Sequence, residues 1–101
     1  MPKLKITEVL YSDRAIQNAI LIKHYLIKRF SQKEVDFFYS LLQSFEKVVF
    51  AFPDLYPKTS KKKNIRRAVL SKELSVFYRI IKSEVEILAI LDNRCDLQEW
   101  V

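Results

Sequence analysis

Between residues 64 and 94 the chain reads NIRRAVLSKELSVFYRIIKSEVEILAILDNR, and this stretch limits the possible folds more than any other. It holds three runs rich in Ile, Val, Phe and Tyr, at 65–70, 74–81 and 85–92, with only a few polar residues between them. Links this short suit antiparallel neighbours, because a parallel crossover needs about a dozen residues or more. The stretch therefore predicts a three-stranded antiparallel meander studded with Arg66, Arg67, Arg79 and Arg94.

Alternation within the runs predicts two unequal faces. In the last run Val85, Ile87, Ala89 and Leu91 alternate with Glu86, Leu88, Ile90 and Asp92. In the middle run Val76, Tyr78 and Ile80 alternate with Ser75, Phe77, Arg79 and Ile81. The first set in each run is expected to form the core face. The second set mixes apolar with charged residues, which suits a face covered part of the time, by a partner or by a terminus of the same chain. In the first run Arg66 alternates with Ala68 and Leu70, and Arg67 with Ile65 and Val69. The pattern leaves open which arginine faces out.

Upstream, residues 3–9 alternate with Leu4 and Ile6 inward and predict a first strand that could add an edge to the meander. Ser12 or Asp13 can then cap a helix over 13–30, whose stripe is Ala15, Ala19, Ile22, Leu26 and Phe30, widened by Ile16, Ile20 and Ile27. Ser31-Gln32-Lys33-Glu34 has the spacing of a capping box, flanked by Phe30 and Val35 as a hydrophobic staple. The second helix carries Val35, Phe38, Leu42, Phe45, Val49 and Phe52, and Pro53 ends it. Residues 53–64, PDLYPKTSKKKN, read as a loop into the sheet. The expected architecture is α+β in one domain over 1–101: an N-terminal strand, then a two-helix hairpin packed on a small, mainly antiparallel β-sheet.

Composition removes several function classes. The chain has no glycine, so Gly-rich phosphate loops are excluded, and turns that need φ > 0 must use Asn, Asp or Lys. Cys95 is the single cysteine, which rules out an internal disulfide and fits a reducing compartment. The start MPKLKITEV has no apolar signal region and no run is long enough to span a membrane, so the expectation is cytoplasmic. His24 is the lone histidine, with no ligand cluster around it, so no metal and no cofactor is expected. The net charge of +6 is concentrated: residues 58–82 hold nine Lys/Arg against one Asp/Glu. Residues 83–101 hold one Lys/Arg against five acids. Such a focused positive region attracts polyanions or an acidic partner.

The order of these elements, with Phe52-Pro53 closing the second helix, Ile65-Arg66-Arg67-Ala68-Val69, Phe77-Tyr78-Arg79-Ile80, Val85-Glu86-Ile87-Leu88 and Asp92-Asn93-Arg94, resembles the RelE/ParE superfamily of bacterial type II toxins. The resemblance implies the toxin of a toxin–antitoxin module, neutralised by a cognate antitoxin. It further implies action on translation, by ribosome-associated mRNA cleavage or binding, or, as in ParE-like members, inhibition of DNA gyrase without catalysis. A degenerate, non-toxic binding module of the same fold is the third option. For an endoribonuclease the candidate catalytic residues are Arg94, Arg79 and Arg67. Lys61, Lys62, Lys63, Arg66, Arg67, Arg79 and Arg94 would hold nucleic acid, since guanidinium forks suit phosphate oxygens. Phe77, Arg79, Ile81, Leu88 and Ile90 would meet the antitoxin. The chain departs from nuclease members in having Leu74-Ser75 where an arginine often stands, and Trp100 where a C-terminal Tyr or His often does. The implied catalytic set is therefore incomplete.

Overall fold

The computed structural model of the chain describes residues 5–60 and 64–95. Its elements are β1 (Glu8–Tyr11), α1 (Asp13–Arg29), α2 (Gln32–Ala51), β2 (Lys58–Ser60), β3 (Ile65–Val69), β4 (Leu74–Ile81) and β5 (Glu84–Asp92). They build the expected α+β arrangement. One five-stranded sheet runs β1-β5-β4-β3-β2, with β1 parallel to β5 and every other pair antiparallel. The meander lies within a residue of its expected bounds. The first strand does not: pairing begins at Glu8, opposite Glu84, although Ile6 is buried ahead of it. Residues 53–64 also contain an unexpected strand, since Lys58 pairs with Arg66 and Ser60 with Ile65 across an irregular register. Too short to show a hydrophobic period, β2 exists because β3 offers it an edge.

The helical hairpin covers one face of the sheet. Ala15, Ile22 and Leu26 of α1 and Val35, Phe38, Leu42, Phe45 and Val49 of α2 are buried against Val76, Tyr78, Val85, Ile87 and Ile90. Ile16, Ile20 and Ile27 instead face solvent, as does Phe52. The core is two layers thick, so the only apolar arc of α1 that it can use is the one turned toward the sheet. Tyr78 sits at the centre, fully buried, with its ring 5.5 Å from that of Phe45 and 6.2 Å from that of Tyr56. Its hydroxyl donates to the Pro53 carbonyl at 2.7 Å, which ties the end of α2 to the sheet.

The two helix starts behave differently. Ser12 caps α1 as expected, its Oγ accepting from the Ala15 amide at 3.1 Å. The capping box at Ser31 does not form. Ser31 makes no side-chain cap bond, and only its carbonyl is used, by the amides of Glu34 and Val35. The Glu34 carboxylate turns away to Arg94, a stronger, charge-assisted partner at 3.1 Å. Without glycine, two turns place other residues at positive φ: Asn64 at 57° and Lys82 at 55°, the latter in the tight link between β4 and β5. These are residue types the composition allows for such turns.

One irregularity reorganises the open face. Tyr78 pairs with Ile87 but Phe77 pairs with Ala89, so Leu88 is an extra residue on β5. A bulge of this kind shifts the alternation by one. Beyond it Ile90 and Asp92 point into the core, at 1% and 0% exposure, while Ala89 and Leu91 turn outward. The expected assignment of Ile90 to the open face is thereby corrected. The bulge lies where β1 ends, since Tyr11 pairs with Ile87, and α1 takes over the edge. Ser12 Oγ donates to the Leu88 carbonyl at 3.0 Å, and Asn18 Oδ1 accepts from the Ile90 amide at 3.0 Å. Asn18, a polar residue on the buried stripe of α1, is there for that amide. Replacing Asn18 with Ala should leave a buried N–H unpaired and cost about 1–3 kcal/mol, read as a lower urea midpoint with an unchanged m-value.

Candidate binding cleft on the open sheet face

The sheet face away from the helices carries Ile65, Arg67 and Val69 of β3, Phe77, Arg79 and Ile81 of β4, and Glu86 with Leu88 and Ala89 of β5. At its centre is a cleft of about 670 Å³. Ile65, Phe77, Leu88 and Ala89 supply its apolar surface, Thr59 and Ser12 its ends, and Arg14, Arg79 and Glu86 its charge. The bulge makes this possible, because it lets Leu88 and Ala89 both line the cleft.

Register decides which arginines belong here. Arg67 pairs with Phe77 and is exposed on the open face. Its Nε and Nη2 lie 3.3 and 3.1 Å from Ser75 Oγ, and its guanidinium stands 5.7 Å from the centre of the Phe77 ring. Arg66 pairs with Tyr78 and points the other way. One of its terminal nitrogens donates to the carbonyls of Tyr56 at 2.6 Å and Asp54 at 3.2 Å, pinning the turn after α2. The question left open between the two arginines is settled by this pairing: Arg67 is out and Arg66 is structural. Arg79 stands directly across from Glu86, and its Nε and Nη2 both lie 2.9 Å from Glu86 Oε1.

Arg94 is not in the cleft. It follows β5 on the helical side, beside the start of α2, where it closes a small hollow of about 270 Å³ with Glu34, Phe37 and Glu73. Its guanidinium grips Asp92 through two bonds of 2.8 and 3.0 Å, reaches Glu34 at 3.1 Å and lies 5.4 Å from the Phe30 ring centre. Hydrogen bonding to Asp92 raises the Arg94 pKa further, against an opposing push from burial. The candidates thus divide. Phe77, Arg79 and Leu88 line the cleft and Arg67 borders it. Ile81 is exposed at the strand end, while Arg66, Ile90 and Arg94 serve other contacts. Lys61, Lys62, Lys63 and Trp100 lie outside the described residues.

Sequence reasoning missed Arg14, Ile65, Thr59 and Ala89 as lining residues. Arg14 enters because α1 starts at the bulge, and no periodicity within a helix tells where its first turn will dock. Among the described residues no group of three His, Cys, Asp or Glu could hold a metal ion, and no helix is long and apolar enough to cross a membrane.

This architecture has counterparts among solved structures. A chain from a chromosomal ParDE toxin–antitoxin system of P. aeruginosa superposes with a TM-score of 0.72 at 13% identity, covering 89% of this chain and 98% of that one. The fold is that of the RelE/ParE toxins. In the E. coli DinJ–YafQ toxin–antitoxin complex a further chain matches with a TM-score of 0.59 at 11% identity, over 91% of this chain and 96% of its own. A structure of E. coli YafQ matches with a TM-score of 0.56 at 15% identity, over 85% of this chain and 92% of its own. No family model and no curated protein matches the sequence. The likeness is thus one of fold, at 11–15% sequence identity.

Two expected outcomes follow from the assignments of Arg94 and Tyr78. Arg94→Ala should strand the buried Asp92 carboxylate and cost on the order of 3–5 kcal/mol, visible as a large drop in the urea midpoint. A purely catalytic arginine would leave that midpoint unchanged. Burial pushes the Tyr78 hydroxyl up from 10.0 to about 12. The unfolded chain loses this proton first, so the contribution is complete below pH 10 and is lost as pH rises toward 12. Tyr78→Phe should flatten that alkaline fall in unfolding free energy but not abolish it, because burial and the Glu46 carboxylate at 2.6 Å also raise Tyr11.

Proposed function

We propose that this chain is the toxin of a type II toxin–antitoxin module and that it arrests growth by occupying a macromolecular target, with DNA gyrase as the leading candidate. The observation that carries this reading is the open-face cleft. It offers apolar walls and cations, but among the described lining residues the one carboxylate, Glu86, is already committed to Arg79. RNA cleavage needs a base, an acid and free cations at one phosphate. Arg94 and Arg79 are both held by carboxylates of this chain, and the Tyr78 hydroxyl is buried against Pro53. Binding asks for less. A cognate antitoxin would cover the same cleft, laying apolar side chains against Phe77 and Leu88 and carboxylates near Arg14 and Arg67.

A second reading, action on translation, is favoured by Arg67, which is exposed beside Phe77 with no carboxylate partner among the described residues. That pair would suit an unstacked base and its phosphate. The two are separated by inducible expression without antitoxin in a bacterial host. The expected outcome is growth arrest with DNA synthesis failing first, and inhibition of purified gyrase in a supercoiling assay. Early loss of protein synthesis with cut mRNA would move the target to the ribosome. Unimpaired growth with abundant folded protein would end the toxin reading.

A further inference from the structure

We propose that Glu86 is a specificity residue: by holding Arg79 it turns nucleic acid away from the open-face cleft. The proposal rests on reading that cleft as the contact surface of a toxin. The basic surplus of residues 58–82 would by itself attract any polyanion, since nucleic-acid affinity follows the number of phosphates neutralised. At the cleft the charge is arranged otherwise. Glu86 comes from the acidic last segment and is set by register directly opposite Arg79. Nε and Nη2 of Arg79 both meet one carboxylate oxygen at 2.9 Å, so that bidentate edge of the guanidinium is occupied and its charge is offset. Arg14 is then the only lining charge without an opposite partner among the described residues. The walls Ile65, Phe77 and Leu88 are apolar. A nucleic-acid strand would bring phosphates against the Glu86 carboxylate. A polypeptide with one acidic and one large apolar side chain would satisfy both Arg14 and the walls.

The pair is partly exposed, with Arg79 at 43% and Glu86 at 31% side-chain exposure, so breaking it frees Arg79 without threatening the fold. The test measures binding of a fluorescent single-stranded RNA oligonucleotide to the full chain as salt is varied, with circular dichroism confirming that each variant is folded. Glu86→Gln should bind more tightly at low salt, with a salt slope steeper by about 0.7, one extra phosphate contact on a single strand. Arg79→Ala alone should leave the wild-type slope unchanged, and adding Arg79→Ala to Glu86→Gln should restore it. Glu86→Asp, which keeps the charge, should stay close to wild type. An unchanged slope in Glu86→Gln, or a shallower one in Arg79→Ala alone, would overturn the proposal. The slope responses without growth arrest would leave the role of Glu86 standing and remove the toxin reading. Growth arrest with no slope response would do the reverse.

Discussion

An extra residue in the last strand organises this molecule. Leu88 has no partner on β4, and the register on either side of it differs by one. A bulge leaves backbone groups that the ladder no longer satisfies, and a buried group in that position is costly. The start of α1 takes them up: Ser12 meets the Leu88 carbonyl and Asn18 the Ile90 amide. That capture fixes where the helix begins relative to the sheet. Arg14, two residues past the cap, is thereby brought to the cleft. On the other side the same slip sinks Asp92 into the core, where it demands a cation, and Arg94 supplies it. Arg94 in turn draws Glu34 out of its capping box and fastens the start of α2 to the end of β5.

The arginines illustrate why a basic sequence does not amount to a basic site. Arg66, Arg67, Arg79 and Arg94 sit in one meander, yet each meets different chemistry. Carbonyls of the turn after α2 take Arg66, a serine hydroxyl and a ring take Arg67, Glu86 takes Arg79, and Asp92 with Glu34 takes Arg94. Guanidinium groups find acceptors wherever burial makes an unpaired acceptor expensive. What remains on the open face is a cleft that is more apolar than its sequence neighbourhood suggests.

Much of this was legible before the structure. The three strands of the antiparallel meander, both helices and a cap at Ser12 or Asp13 follow from local periodicity and capping chemistry, which act over a few residues. Faces were legible only as far as the period held. Val76, Tyr78, Val85 and Ile87 lie inward as their alternation requires, and past Leu88 the rule inverts. Leu-Ala-Ile-Leu offers no glycine and no break in hydrophobicity to announce the slip. The expected widening of α1 by Ile16, Ile20 and Ile27 failed for a related reason: hydrophobicity tells that a residue can be buried, not that a neighbouring layer exists to bury it.

By itself the sequence determined the two helices and the strands of the meander, and their order, because hydrogen bonding within a helix and the period of a strand are short-range properties. It also determined that positive-φ turns would rest on non-glycine residues, as at Asn64 and Lys82. Only the tertiary structure decided which arginine faces the cleft, that β2 forms, that Ile90 is core and that Arg94 is a clasp. Those outcomes depend on register and on competition among distant partners for the same charge, and neither is written in any one stretch of the chain.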